Sequence, residues 1–348
     1  MATAVHDPAQ GYSSADVTNP GRNIEVDDQQ NDELDSAFGD SSSTTASLTS
    51  SVLKFHFENG RRYHSFKEGK YPLPNDEKEQ DRLDICHRMF NLALGDRLYL
   101  APIGKDPQRI LDLGTGTGLW AIDMGDLFPS ATVIGNDLSP IQPGFVPPNV
   151  KFEVDDIEED FAHPQPFDYI HSRYLAGAIK DWPRLIRQTF QLSISKKSLK
   201  PGGWTECYDA DYNIVSDDGS LKEDSPLAKN IRDTLNAAES VGRTASPGLG
   251  LKGWFQDAGY VNITERKFII PHNNWPKDRR LKELGAWNLL QSEEGMEAWS
   301  MALLTREGGQ TQEQVQRDLV EVRKDFRNTS IHAYYHLYVV YGQRPEEA

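Results

Sequence analysis

Cysteine is scarce in this chain: there are two, Cys86 and Cys207, in 348 residues. Two thiols cannot make a disulfide framework, and neither stands at metal-ligand spacing. They read as reduced thiols, as expected of a cytoplasmic or nuclear protein. Long apolar runs are absent as well. Nothing approaches the ~20 residues that span a bilayer, and no apolar stretch of signal-peptide type opens the sequence. Basic clusters are missing too. The pairs Lys196-Lys197 and Arg279-Arg280 are too short for a nuclear-import signal. The formal net charge is -16, so the surface as a whole repels phosphates and no direct grip on nucleic acid is expected. No cluster of histidine and carboxylate suggests a metal.

What charge there is sits unevenly. Residues 1–50 carry nine acidic residues against one basic residue, Arg22, and lead into a serine/threonine run from Ser41 to Ser51. Few large apolar residues are present there to offset the entropy of ordering, so a disordered acidic tail is expected over 1–50. Composition favours a solubilising role over a phosphorylatable docking arm. A tail with few contacts predicts that its deletion leaves thermal stability nearly unchanged.

Residues 51–345 read as one folded domain, with clear periodicity from Tyr71 onward. Apolar spacing predicts a helix over Asp76–Leu100, a strand over Arg109–Leu113, a helix over Leu119–Phe128, and strands over Thr132–Gly135, Val150–Val154 and Phe167–His171. A helix over Trp182–Leu199 and a strand over Trp204–Tyr208 come next. Leu227–Val241 and Gly250–Ala258 read as helices, and Val261–Ile270 as a sixth strand. Two more helical stretches, Asp278–Leu304 and Thr311–Phe326, form an insertion over 271–330 before a closing strand at His332–Tyr341. Strands alternating with helices mean a mostly parallel sheet covered on both faces, an α/β fold.

The strongest motif is Ile110-Leu111-Asp112-Leu113-Gly114-Thr115-Gly116-Thr117-Gly118, between a strand and a helix. Glycine lets the backbone approach a ligand where a Cβ would collide, and the helix opening near Leu119 offers free N–H groups. Nicotinamide enzymes use a related loop, but with Gly-x-Gly-x-x-Gly spacing that brings a helix N-terminus to a pyrophosphate. Here the spacing is Gly-x-Gly-x-Gly, which suits S-adenosylmethionine, a cofactor without phosphate. Asp112, two residues before Gly114, can face the cationic methionine end of that cofactor, directly or through water. Asp137 ends the second strand, 19 residues after Gly118, where a carboxylate can accept both ribose hydroxyls.

In these residues the sequence resembles the class I methyltransferases. The likeness runs on in order through Asp155-Asp156-Ile157, Phe167-Asp168-Tyr169-Ile170 and Leu199-Lys200-Pro201-Gly202-Gly203-Trp204. It implies a Rossmann-like sheet of seven strands with the last one antiparallel. It also implies Asp156 at the adenine amino group, Ile157 against the adenine ring, and Leu138 beside Asp137 in the cofactor site. More narrowly, the chain is similar to the fungal LaeA-like methyltransferases over about residues 55–345. The shared stretches are Tyr71-Pro72-Leu73-Pro74-Asn75-Asp76, Asn136-Asp137-Leu138-Ser139-Pro140-Ile141-Gln142-Pro143, Lys180-Asp181-Trp182-Pro183 and Ile331-His332-Ala333-Tyr334-Tyr335. That family includes regulators of secondary metabolism and development, some partnered with velvet-type proteins, and enzymes acting on small metabolites. The resemblance therefore implies methyl transfer to a secondary metabolite or a protein, with a velvet-type protein as partner. A different reading is a cofactor-binding regulatory subunit that works through protein assembly.

Methyl transfer from a sulfonium asks the protein mainly for alignment and a dry site. A base is needed only where the acceptor loses its proton early. His171-Ser172-Arg173-Tyr174 ends the fourth strand, at the edge where open α/β sheets bind ligands. His171 is the first candidate base, with Tyr174 and Glu206 behind it; a structural hydrogen-bonding role for His171 competes. Arg173 suits either an acidic acceptor or a loop carboxylate. The insertion holds Trp275, Trp287, Met296, Trp299 and Met301, which read either as packing inside a helical cap or as the apolar wall of an acceptor site.

Overall fold

Alternating strands and helices build a single seven-stranded sheet with a helical cap. The computed structural model describes residues 15–16, 24–27, 55–58, 60–64, 66, 73–160, 163–191 and 198–346. A hairpin of β1 (His56–Glu58) and β2 (Arg61–Tyr63), unforeseen in the sequence, precedes α1 (Glu77–Ala93). Then come β3 (Arg109–Leu113), α2 (Leu119–Leu127), β4 (Thr132–Asp137), β5 (Val150–Val154), β6 (Phe167–Arg173), α3 (Trp182–Phe190) and β7 (Leu199–Val215). The chain continues through α4 (Pro226–Ser240), α5 (Gly248–Ala258), β8 (Val261–Pro271), α6 (Arg279–Arg306), α7 (Gln312–Arg327) and β9 (Tyr334–Gln343).

The strand order is β5-β4-β3-β6-β7-β9-β8. The first five are parallel, and β9 runs antiparallel to both β7 and β8. The expected sheet is present, closing strand included. Period-two alternation sorts the side chains: Ile110, Val133 and Tyr169 pack with Trp120 of α2, while Leu111, Ile134 and Ile170 pack with α3 and α5 on the other face. Helices α6 and α7 are the insertion expected between the last two strands. Leu227 and Ala237 of α4 join their apolar core, so the cap has three helices.

Element ends follow local chemistry. Asp76 caps α1 by accepting from Glu79 N at 3.1 Å, and Arg61 grips the same carboxylate at 2.6 and 2.8 Å. The helix stops well before Leu100, because Gly95 and Asp96 both take left-handed φ, 76° and 58°. Helix α3 likewise ends at Phe190, and β7 runs far past Tyr208 to Val215.

Two stretches of the acidic tail are placed, and both touch the β8 edge. Asp16 bridges to Phe268, and Val26 bridges to Pro276. There the chain has contacts that composition alone does not suggest; the rest of the expected tail lies outside the described residues. Among the described residues no helix is long and apolar enough to cross a membrane, and no group of His, Cys, Asp or Glu has the arrangement of a metal site.

Candidate functional site

β3 lies between β4 and β6, so the chain's path across the sheet reverses there, and a crevice opens beyond the carboxyl ends of these strands. The glycine loop forms its floor. Gly114, Gly116 and Gly118 all have positive φ, 66°, 59° and 83°. A Cβ on Gly114 would lie 2.5 Å from Leu175, and one on Gly118 would lie 2.4 Å from Phe152. At Gly116 the nearest atom would be Leu83 Cδ1, at 3.5 Å. Packing therefore requires Gly114 and Gly118, whereas Gly116 faces open space.

Of the expected cofactor residues, Gly114, Gly116, Asp137, Leu138, Asp156 and Ile157 line this cavity. Asp137 accepts from Gly116 N and from Ser139 N, each at 2.9 Å, and burial pushes its carboxyl up to about 6. Helix α1 closes the cavity from above with Glu79, Leu83, Cys86, His87 and Phe90. The sequence patterns identified α1 as amphipathic but not as a wall of the site. One trace was available: Asn75, in a stretch shared with the LaeA-like proteins, donates to Ser139 Oγ at 3.2 Å in another such stretch.

Arg173 also lines the cavity, beside Phe90. Its Nη2 donates to His87 Nδ1 at 2.8 Å, and the other face of that imidazole meets Asp123 at 2.9 Å. Its Nη1 is buried without a partner among the described residues. A buried guanidinium nitrogen of this kind calls for an anion.

Three of the expected site residues lie away from the cavity. Asp112, His171 and Glu206 are cross-strand neighbours in one row of the sheet. All three are buried, and none lines the cavity. Both Asp112 oxygens are engaged within the protein, by His171 Nδ1 at 2.7 Å and Thr115 Oγ1 at 2.6 Å. Asp112 thus braces the glycine loop. His171 stacks on Trp120, and burial pulls its pKa down. It lines neither cavity. Glu206, pushed up to about 7 by burial, holds the Leu100 and Ala101 N–H groups at 2.9 and 2.5 Å. It holds the loop after α1.

Tyr174 is placed differently. It follows β6 with φ 59°, an uncommon value for a bulky residue, and lines both the crevice and a second cavity of about 150 Å³. Its hydroxyl accepts from Arg82 Nη1 at 2.9 Å; Arg82 is itself fully buried and paired with Glu79 at 2.5 Å. The second cavity is walled by α4, α6 and α7, with Ile231, Leu235, Met296, Trp299 and Leu303 among its apolar residues.

These residues fit S-adenosylmethionine. Arg173 Nη1 would take the methionine carboxylate, Asp137 the ribose hydroxyls, and Asp156 and Ile157 the adenine; Gly116 leaves the backbone bare where the cofactor would cross it.

Comparison with known proteins agrees with this geometry. The family model described as a methyltransferase domain matches residues 85–265. Methyltransferase pytC of Aspergillus terreus is 44% identical over 94% of this chain and 97% of its own length. The secondary metabolism regulator LAE1 of Cochliobolus heterostrophus is 37% identical, over 84% of this chain and 95% of its own. The protein-methionine methyltransferase laeA of Emericella nidulans is 36% identical, over 84% and 77%.

Proposed function

Because this chain belongs to the class I S-adenosylmethionine-dependent methyltransferases, within their LaeA-like family, we propose that it methylates a small, largely apolar secondary metabolite seated under the helical cap. The observation that carries this is the second cavity: its exposed surface is mostly apolar, and it meets the cofactor crevice at Tyr174.

S-adenosylmethionine supplies a methyl group on a cationic sulfur, which a lone pair on the acceptor displaces. Arg173 would hold the cofactor's methionine carboxylate and Asp137 its ribose, which would align its methyl group toward the acceptor. Apolar cap residues line the second cavity, where a bound acceptor would displace water. Asp112, His171 and Glu206 line neither cavity. Tyr174 touches both cavities and positions the acceptor's reacting end; burial keeps its phenol neutral. A velvet-type protein partner, and a place in the cytoplasm or nucleus, extend this proposal through the LaeA-like resemblance.

The test is incubation of the protein with methyl-labelled cofactor and a fungal extract, followed by separation of metabolites from proteins. Label should enter organic-soluble metabolites, and Leu235→Trp, which fills the second cavity, should abolish it while cofactor affinity persists. Label confined to protein would move the acceptor class to proteins. Tight cofactor binding without label in either fraction would favour a regulatory subunit.

A further inference from the structure

Polar groups are sparse in the second cavity, and two of them are unsatisfied. His272 follows β8 where the cap begins and is 3% exposed. Its backbone is fixed, since its N–H donates to Ala333 O at 2.9 Å. Its ring is held as well: it stacks on Phe326 with centroids 4.9 Å apart, and Tyr335 stands edge-on at 5.8 Å. Yet neither Nδ1 nor Nε2 has a hydrogen-bond partner among the described residues. Thr234 Oγ1, on α4, lines the same cavity and is also buried without a partner.

Buried polar atoms in folded proteins are nearly all hydrogen-bonded, so an imidazole with both nitrogens bare is an exception that needs a cause. An apolar ring would pack between Phe326 and Tyr335 without that penalty. Burial also keeps the imidazole uncharged, with its pKa pushed down to about 3. At neutral pH it therefore offers one donor and one acceptor to whatever enters. The volume, about 150 Å³, matches a cavity that takes a benzene-sized ring.

On the methyltransferase reading given above, we propose that the acceptor is a ring-bearing apolar molecule whose hydroxyl, carbonyl or amide group hydrogen-bonds the His272 imidazole, with Thr234 as a second polar contact. His272 then determines specificity. Molecules of the right shape but without the polar group leave its nitrogens bare and are rejected in favour of those that carry it. His272 does not remove a proton from the acceptor, because a neutral imidazole so reluctant to charge is a poor base.

The test uses phenol and benzene as probes, with dissociation constants from NMR titration. It involves no methyl transfer, so its failure is distinct from failure of the enzymatic reading. Native protein should bind phenol at least as tightly as benzene. In His272→Phe the phenol-to-benzene affinity ratio should fall about ten-fold, because the hydroxyl then enters an apolar wall unpaired. S-adenosylhomocysteine affinity should stay unchanged. Should the variant fail to fold, the imidazole ¹⁵N resonances of His272 in the native protein give the second measurement: phenol should shift them and benzene should not. A native cavity that refuses phenol, a ratio unaltered by the substitution, or unmoved ¹⁵N resonances would each overturn the proposal.

Discussion

His171 donates through Nδ1 to Asp112 Oδ1 at 2.7 Å while its ring lies flat on Trp120, with centroids 3.7 Å apart. The second Asp112 oxygen takes the Thr115 hydroxyl, so a chain of contacts runs from β6 through β3 to the middle of the glycine loop. Position in the strand brought His171 close to the edge, but the contact that matters points inward.

A positioning role for His171 has a kinetic signature. His171→Phe should weaken cofactor binding by about ten-fold, since Asp112 loses a hydrogen bond of charged type. His171→Gln, which can still donate to Asp112, should recover most of that loss. The shape of the kcat pH profile should be the same in all three proteins. A general base would instead show a fall of about 10²–10⁴ in kcat and a lost acid limb, with cofactor affinity intact.

Asp137 sets the pH dependence of cofactor binding. Burial raises its carboxyl to about 6, and His64 and Asp112 are the nearby charged groups that act on it. Only the ionised form can accept both ribose hydroxyls, so the bound state favours the carboxylate. Affinity for S-adenosylhomocysteine should be level above about pH 7. As the pH falls through about 6 it should drop, approaching ten-fold per unit, with one proton released on binding. Calorimetry in buffers of different ionisation enthalpy reads that proton. Asp137→Ala should lower affinity at neutral pH by about ten- to a hundred-fold and flatten the profile. A steep profile that survives in the variant would assign the proton elsewhere.

Gly116 and Gly118 should fail in different ways. Valine at 116 meets only the end of Leu83 but must adopt φ 59°. That strain costs about 1–2 kcal/mol, and a melting temperature lower by a few degrees should accompany complete loss of cofactor binding. Valine at 118 collides with the Phe152 ring at 2.4 Å and should unfold the loop and β5 contact together. Thermal melts and cofactor titration separate the two; equal stability losses would mean the cavity at Gly116 is not open.

Much of this site was legible because its residues are neighbours in sequence. The glycine loop and Asp137 announce themselves by spacing, and strand periodicity placed every strand of the main sheet. What spacing cannot convey is which way a side chain turns at the end of a strand. Asp112, His171 and Glu206 lie inside their strands, and only the cross-strand register reveals that they form a buried row. Nor does periodicity say where a helix docks. Glu79, Leu83 and His87 reach the cofactor cavity because Arg61 and Asp76 orient the start of α1. His272 stands in no motif; its unpaired nitrogens are visible only once Phe326 and Tyr335, more than fifty residues away, close around it.

The acidic segment is the last place where composition and structure diverge, and truncation measures by how much. β8 is an edge strand, and an uncovered edge exposes N–H and C=O groups to other chains. Ala15 is fully buried and its carbonyl accepts from Ile269 N at 2.8 Å. Farther along, Asp27 N donates to Trp275 O at 3.0 Å, and Lys277 N donates to Glu25 O at 2.7 Å. Ile24 and Val26 pack on Ile269 and Trp275, while Glu25 and Asp27 pair with Lys277 and Lys282. The ion pairs are at the surface and contribute little. Three backbone hydrogen bonds and two apolar side chains contribute roughly 2–4 kcal/mol more, before the entropy of ordering is subtracted. Removal of residues 1–27 should therefore lower the melting temperature by about 5 °C and promote association at the bared edge, read by light scattering. Cofactor affinity should not change, because β8 and the glycine loop lie toward opposite sides of the sheet. Melting within a degree of the intact protein, with no association, would show that ordering these segments offsets everything their contacts supply.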